Sequence, residues 1–190
     1  MSGILKVGGS ELINDNGGSG ALQWGSGVPS DTIIQVKSSS FAGAQTIAFN
    51  DGPTDITSLS CSMTITSGNK VLIFANVNTG SSVDGYSAIY VTDGSNNIIF
   101  QNSTGTGNQI NASIAVTPSD ADAGDVYLTQ NQSFNYLWTP SVTSITVKLR
   151  GQSTYYDSND RLMINTMYDS SNASHIVKGT STLTIFEVQA

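Results

Sequence analysis

Between Leu59 and Thr66 the chain alternates strictly: Leu59, Cys61, Met63 and Ile65 are apolar, while Ser60, Ser62, Thr64 and Thr66 are small and polar. Successive side chains of a β-strand point to opposite faces, so this pattern describes a strand with one face in a core and one in water. Ile145, Val147 and Leu149 repeat it, with Thr146 and Lys148 between them. A helix would instead place apolar residues every third or fourth position, and no window of the chain does so. Composition points the same way. Only 11% of residues are charged, against about 25% in an ordinary soluble domain. The only glutamates are Glu11 and Glu187, whereas exposed helix faces are usually built from Glu and Lys.

Other segments extend the all-β reading. Val71-Leu72-Ile73-Phe74-Ala75 is a continuous apolar run, suited to a central strand covered on both faces. Ser67-Gly68-Asn69 separates it from the alternating segment, and the two are expected to form a hairpin. A second hairpin is expected where Tyr86–Thr92 and Asn97–Gln101 flank Asp93-Gly94-Ser95-Asn96. Further strands are expected near Gln45–Phe49, Ile110–Val116, Phe134–Trp138, Leu162–Asn165 and Leu183–Val188. Some eight to ten strands over about 160 residues suit a jelly-roll-type, two-sheet antiparallel sandwich. The stretches 102–108, 117–124 and 152–160 are loops by composition, and loops on a rigid sandwich are where binding would reside.

Residues 1–30 differ from the sandwich domain, 31–190. Ile4, Leu5 and Val7, then Leu12 and Ile13, are short apolar islands divided by Gly8-Gly9 and by Asn14-Asp15-Asn16-Gly17-Gly18-Ser19-Gly20. Ordering a residue costs roughly 1–2 kcal/mol of backbone entropy, more than such islands can offset alone. The segment is therefore either a flexible leader or an extended N-terminal attachment arm that orders by docking its islands, with Leu22 and Trp24 as anchors.

The chemistry-bearing residues exclude more than they suggest. A net charge of −7, with Lys and Arg scattered from Lys6 to Lys178, argues against nucleic acid as a partner, since phosphate recognition needs clustered cations. His175 is the only histidine and Cys61 the only cysteine, which removes the usual zinc sites and any internal disulfide. Cys61 reads as a small buried hydrophobe and His175 as a solvated loop residue. No Gly-x-Ser-x-Gly elbow and no phosphate-binding glycine motif occurs. Asp120, Asp122 and Asp125 could offer oxygens to Ca²⁺, but they lack the full ligand ladder and bidentate Glu of an EF-hand, so a solvated acidic turn is favoured. Asp157 and Asp160 show no sign of the enclosed cleft that a glycosidase acid requires. Tyr155, Tyr156 and Tyr168 have the aromatic faces and polar tips that suit sugar contact, and with Asp157 the first two make a possible ligand loop, but packing in the core or on a sheet face is the favoured role for each. No cofactor and no enzymatic activity is expected. No run approaches the roughly 18 apolar residues of a membrane span, and Met1 is not followed by a secretion signal, so a chain made in a cytoplasm is expected.

Several segments in order resemble a β-sandwich domain of tailed-phage virion proteins, marine and cyanobacterial ones in particular, often called tail-fibre-like. They are Thr32-Ile33-Ile34-Gln35-Val36, the stretch Asp55–Thr66, Asn69-Lys70-Val71-Leu72-Ile73, the Asp93-Gly94 turn, and Gly179-Thr180-Ser181-Thr182-Leu183-Thr184-Ile185-Phe186-Glu187-Val188. The terminal Gly-x-Ser/Thr-x-Leu strand with one acidic residue is the most specific. The leader Leu5-Lys6-Val7 with its nearby glycines is similar too. The resemblance covers roughly residues 31–190 and carries over no functional residue. It implies a jelly roll of the C1q and tumour-necrosis-factor kind, assembly as a homotrimer, and partners among phage structural proteins (capsid, portal or tail). A virion fibre or capsid decoration anchored by residues 1–30 is the leading expectation. A module binding host surface glycans is the alternative.

Overall fold

The computed structural model describes residues 4–7, 10–14, 23–24, 28–49, 51–81, 86–101, 110–116, 129–153, 160–167 and 178–190, the first three segments as backbone alone. Their strands are β1 (Ile4–Val7), β2 (Ser10–Asn14), β3 (Gln23–Trp24), β4 (Ile33–Phe41), β5 (Gln45–Ala48), β6 (Thr54–Thr64) and β7 (Lys70–Ser81), followed by β8 (Ser87–Asp93), β9 (Ile98–Phe100), β10 (Ile114–Val116), β11 (Gln130–Trp138), β12 (Ser144–Ser153), β13 (Arg161–Ile164) and β14 (Ser181–Val188). No helix occurs among the described residues, and every ladder between named strands is antiparallel.

One sheet runs β10-β8-β12-β6, with β9 also on β8; the other runs β4-β14-β7-β13-β5, with β11 also on β7. In the second sheet β14 takes Lys70–Asn76 of β7 and β13 takes Thr79–Ser81, while β11 lines Val71–Thr79. Take β9 and β10 as one position and set aside the short β5 and β13. The sheets then read first-eighth-third-sixth and second-seventh-fourth-fifth, the wrapping of a jelly roll. The all-β sandwich expected from the alternation is the one observed.

One pairing differs from expectation. β6 and β7 do not form a hairpin: β6 pairs with β12 in one sheet, and β7 with β14 and β11 in the other. The connecting turn, with Gly68 at φ 93° and Asn69 N donating to Thr66 O at 3.1 Å, is an arch across the sandwich. The arch sets the two apolar faces against each other, whereas an in-plane hairpin would leave each needing another layer. The second expected hairpin is present, with Val91 opposite Phe100 and Thr92 opposite Ile98. Its left-handed residue is Asn96, at φ 71°.

The interior is built from the alternating residues. Leu59, Cys61, Met63, Ile65, Ile145, Val147 and Leu149 on one side and Val71, Ile73, Ala75, Val77, Leu183 and Ile185 on the other form one buried cluster, with β6 lying over β4 and β14. β6 slips phase once. Between the pairs Asp55–Arg150 and Ser60–Lys148 it carries Ile56 to Leu59 where β12 has only Leu149, and Ser58 takes a φ of 61°. This bulge puts both Ile56 and Leu59 in the core despite their odd spacing. The Gln45 side chain spans it like a short strand, accepting from Thr57 N at 2.8 Å and donating to Asp55 O at 3.1 Å.

Each end of the sandwich is tied by a polar network. Glu187 is only 2% exposed. Its Oε1 accepts from Thr66 N at 2.7 Å and Asn69 Nδ2 at 2.6 Å, and its Oε2 from Gln35 Nε2 at 2.6 Å. One carboxylate so joins β4, the β6–β7 arch and β14. At the other end Asn165, at φ 59°, donates to Phe41 O at 2.6 Å and Gly43 O at 3.0 Å and accepts from Ser181 Oγ at 2.6 Å.

The islands of the N-terminal segment pair with one another. β1, β2 and β3 form a three-stranded sheet in which Leu5 stands opposite Ile13 and Ile13 opposite Trp24. Ile4 pairs with Asn14 and Val7 with Ser10, and the register shifts beside Leu12. Among the described residues no ladder joins this sheet to the sandwich. The expected alternatives, a flexible leader or an arm ordered by docking, did not include this pairing between the islands. Leu22 lies outside the described residues.

Candidate functional site

Most loop candidates from the sequence fall outside the described residues: Asp120, Asp122 and Asp125, Tyr155, Tyr156 and Asp157, and Tyr168 and His175. Their points of departure are placed. Val116 and Ser153 both pair with Ser87, from opposite sides of β8. The stretches that follow them, 117–128 and 154–159, therefore leave one end of the five-stranded sheet two strands apart. Ser87 Oγ and Ser153 Oγ are buried there without a hydrogen-bond partner among the described residues. Asp160 is buried, and its backbone carbonyl accepts from Phe49 N at 3.0 Å. No group of three His, Cys, Asp or Glu side chains among the described residues is placed to hold a metal. No helix among them is long and apolar enough to cross a membrane.

Cys61 is buried as expected, its Sγ donating to Ser39 Oγ at 3.4 Å and to Leu183 O at 3.5 Å. Burial pushes its pKa up, and the Ser39 hydroxyl and the Lys37 charge only partly oppose that. The result is a protonated, poorly nucleophilic thiol. Burial likewise raises the pKa of Tyr90, whose hydroxyl donates to Gln152 Oε1 at 3.0 Å.

The two outer faces of the sandwich differ in chemistry. On the five-stranded sheet, Lys148 Nζ and Arg150 Nε hold the Asp55 carboxylate at 3.0 and 2.9 Å, with Ser60, Ser62, Thr92 and Thr146 around them. That face carries charge: the Asp55 side chain is exposed, while those of Lys148 and Arg150 are largely covered and Thr92 is buried. The outer face of the six-stranded sheet carries none in its central rows. The register sets Val36 opposite Phe186, Phe186 opposite Leu72, and Leu72 opposite Leu137, an apolar row across β4, β14, β7 and β11. The next row is Ser38, Thr184, Phe74 and Asn135, and the third is Ser40, Thr182, Asn76 and Ser133. Val36 is 53% exposed, and Phe74 and Leu137 are each 45% exposed. The Phe74 ring meets that of Phe186 edge-on at 5.8 Å. No residue of the three rows carries a formal charge.

Sequence reasoning did not single out this face, although the run Val71–Ala75 was its signal. The run predicts a strand covered on both sides, and β7 is covered on one. Val71, Ile73 and Ala75 are in the core; Leu72 and Phe74 are the uncovered half. Beside it, Phe100 packs against Tyr136 at 4.7 Å and Phe134 at 6.0 Å, closing the open edge between β9 and β11.

No family model matches the chain, and no curated protein does either. Among solved structures, the chain is similar to infectious bursal disease virus, Gt strain, with 14% identity and a TM-score of 0.39 over 100% of this chain and 43% of that one. A D431N mutant VP2 protein of the same virus, in derived T=1 particles, gives 15% identity and a TM-score of 0.38 over 85% of this chain and 37% of that one. The chain spans about two-fifths of the length of these proteins. At such scores they do not show the phage family that the sequence resembles.

Proposed function

We propose that this chain is a non-enzymatic structural protein of a tailed-phage virion. Residues 1–30 attach it to the particle, and the jelly roll projects as part of a fibre or a capsid decoration. The observation that carries the reading is the strand order. The terminal Gly179–Val188 segment and its companions resemble tailed-phage virion domains, and that resemblance implies a jelly roll, the order in which the strands are found. Homotrimeric association and contact with capsid, portal or tail proteins belong to the same reading.

The N-terminal segment supports the division of labour. Strands of two to five residues in a three-stranded sheet bury little by themselves. In one register row the segment carries Leu5, Ile13 and Trp24, residue types that gain from being covered. The test is incorporation. Particles produced with a chain lacking residues 1–30 should lose the protein, while the truncated sandwich stays soluble and folded in the lysate. Undiminished incorporation would refute the attachment role.

A further inference from the structure

We infer that the open edge of β11 takes an extended, uncharged segment of another polypeptide as an added strand of the six-stranded sheet. The inference goes beyond the proposed function, because it stands on backbone geometry and holds wherever the protein resides.

A residue within a strand points its N–H and C=O to one neighbour, and the next residue points them to the other. Asn78 settles the phase of β7. Its N–H donates to Ser181 Oγ at 3.0 Å and its C=O accepts from Asn165 N at 2.8 Å, both on the side of β13 and β14. Val71, Ile73, Ala75, Val77 and Thr79 therefore face β11, where they pair with Trp138, Tyr136, Phe134, Gln132 and Gln130. That leaves the backbone groups of Asn131, Ser133, Asn135 and Leu137 aimed away from β7, on an edge that no ladder covers among the described residues. Open edges invite added strands, and the other edges of the sandwich are blunted against them. β5, β9 and β10 are only three or four residues long. β6 is bulged at Ser58, and the side chains of Gln45 and Gln35 bond its backbone at Asp55, Thr57 and Thr64. β4 sets Lys37 on its inner face, the face it shares with Gln35 and Ser39. β11 has none of these devices. Its nine residues, Gln130–Trp138, run in unbroken register without charge, proline or glycine. The pattern of the partner follows from the register. Side chains opposite Phe134 and Tyr136 would point inward, beside Phe100, which is 40% exposed and lies 4.7 Å from Tyr136. Those opposite Ser133 and Asn135 would point to water. The segment that fits is thus apolar at every second position and polar between, held by its main chain.

The test is amide hydrogen exchange on the full chain, read residue by residue by NMR. In the dilute protein the amides of Asn131, Ser133, Asn135 and Leu137 should exchange freely, while those of Gln132, Phe134 and Tyr136 are held by β7. The probe is a short peptide of alternating valine and threonine with a lysine at each end. Once it fills about nine-tenths of the sites, the four open amides should slow by about tenfold. N-methylating all the valines or all the threonines should abolish the slowing in one case and spare it in the other, since only one set turns its N–H to the edge. Both methylated peptides keep the charges and side chains, so the comparison isolates the main chain and needs no variant of the protein. Ser133→Pro removes one open donor without touching the β7 ladder and should weaken peptide binding by about tenfold. Open amides already protected in the dilute chain would overturn the inference. So would amides indifferent to the peptide, or slowed equally by both methylated forms. Slowing that follows the chain's own concentration, with no peptide present, would name a second copy as the occupant and overturn the partner proposed.

Discussion

Replacing Glu187 with glutamine changes one atom of a buried side chain, and the structure says what that atom does. All three groups around the carboxylate donate to it: Thr66 N and Asn69 Nδ2 to Oε1, Gln35 Nε2 to Oε2. A glutamine serves at most one of the two oxygens. Its better orientation keeps the carbonyl toward Thr66 and Asn69 and turns the new amide hydrogens onto Gln35 Nε2, donor against donor. Gln35 has no free flip, because the same nitrogen donates to Thr64 O at 2.6 Å. The substitution therefore removes one charge-assisted bond outright and weakens two, against an easier desolvation of the neutral amide. The net cost is about 2–3 kcal/mol, or a fall in melting temperature of roughly 4–12 °C for a domain of this size. Glu187→Ala removes all three contacts, leaving the buried Asn69 amide and the Thr66 N–H without this acceptor while Gln35 Nε2 keeps Thr64 O, and should cost more than Glu187→Gln. Urea unfolding followed by tryptophan fluorescence measures both. If Glu187→Gln proved as stable as wild type, the carboxylate would be a tolerated burial cost and not the tie between β4, the arch and β14.

Three other perturbations have signs set by the structure. A Cβ on Gly151 would lie 2.7 Å from Leu162 Cδ2 and 2.8 Å from Ile47 Cδ1, so Gly151→Ala should overpack the core and cost about 1–3 kcal/mol in the same urea experiment. The thiol of Cys61, buried and raised in pKa, should react with a thiol reagent only at the rate of unfolding, and rapid labelling of the native protein would contradict its placement. Burial pushes the Asp93 carboxyl upward, but hydrogen bonds from the Asn97 side chain and from the Asn97 and Ser95 amides, with the Lys148 charge, hold its pKa below the usual range. A depressed carboxyl stabilises the fold above its unfolded pKa and loses that contribution as pH falls through the folded value. The stability gap between wild type and Asp93→Ala should thus shrink below about pH 4.

Strand positions were legible because they depend on local alternation. Leu59, Cys61, Met63 and Ile65 are all buried, and so are Ile145, Val147 and Leu149. Partners were not legible. A short glycine-bearing turn such as Ser67-Gly68-Asn69 serves an in-plane hairpin or an arch equally well, and the choice is made by strands far along the chain. The same distance hides Glu187. Its acidic character stands out in the last strand, but its donors lie 118 to 152 residues away. The bulge at Ser58 left a local trace in the three-residue step from Ile56 to Leu59. The candidate face left one too: an apolar run reports that cover is needed, without reporting that the chain supplies only half of it. The acidic turn Asp120–Asp125 and the Tyr155–Asp157 loop lie outside the described residues, so the fold positions only their roots, at Val116 and Ser153.

The central claim concerns where the protein resides. Particles purified through a density gradient, stripped of soluble protein and analysed by quantitative mass spectrometry, should contain this chain in fixed ratio to the major capsid protein. Antibody to the sandwich should label intact particles at a constant location. A chain abundant in the lysate but absent from purified particles would contradict the account.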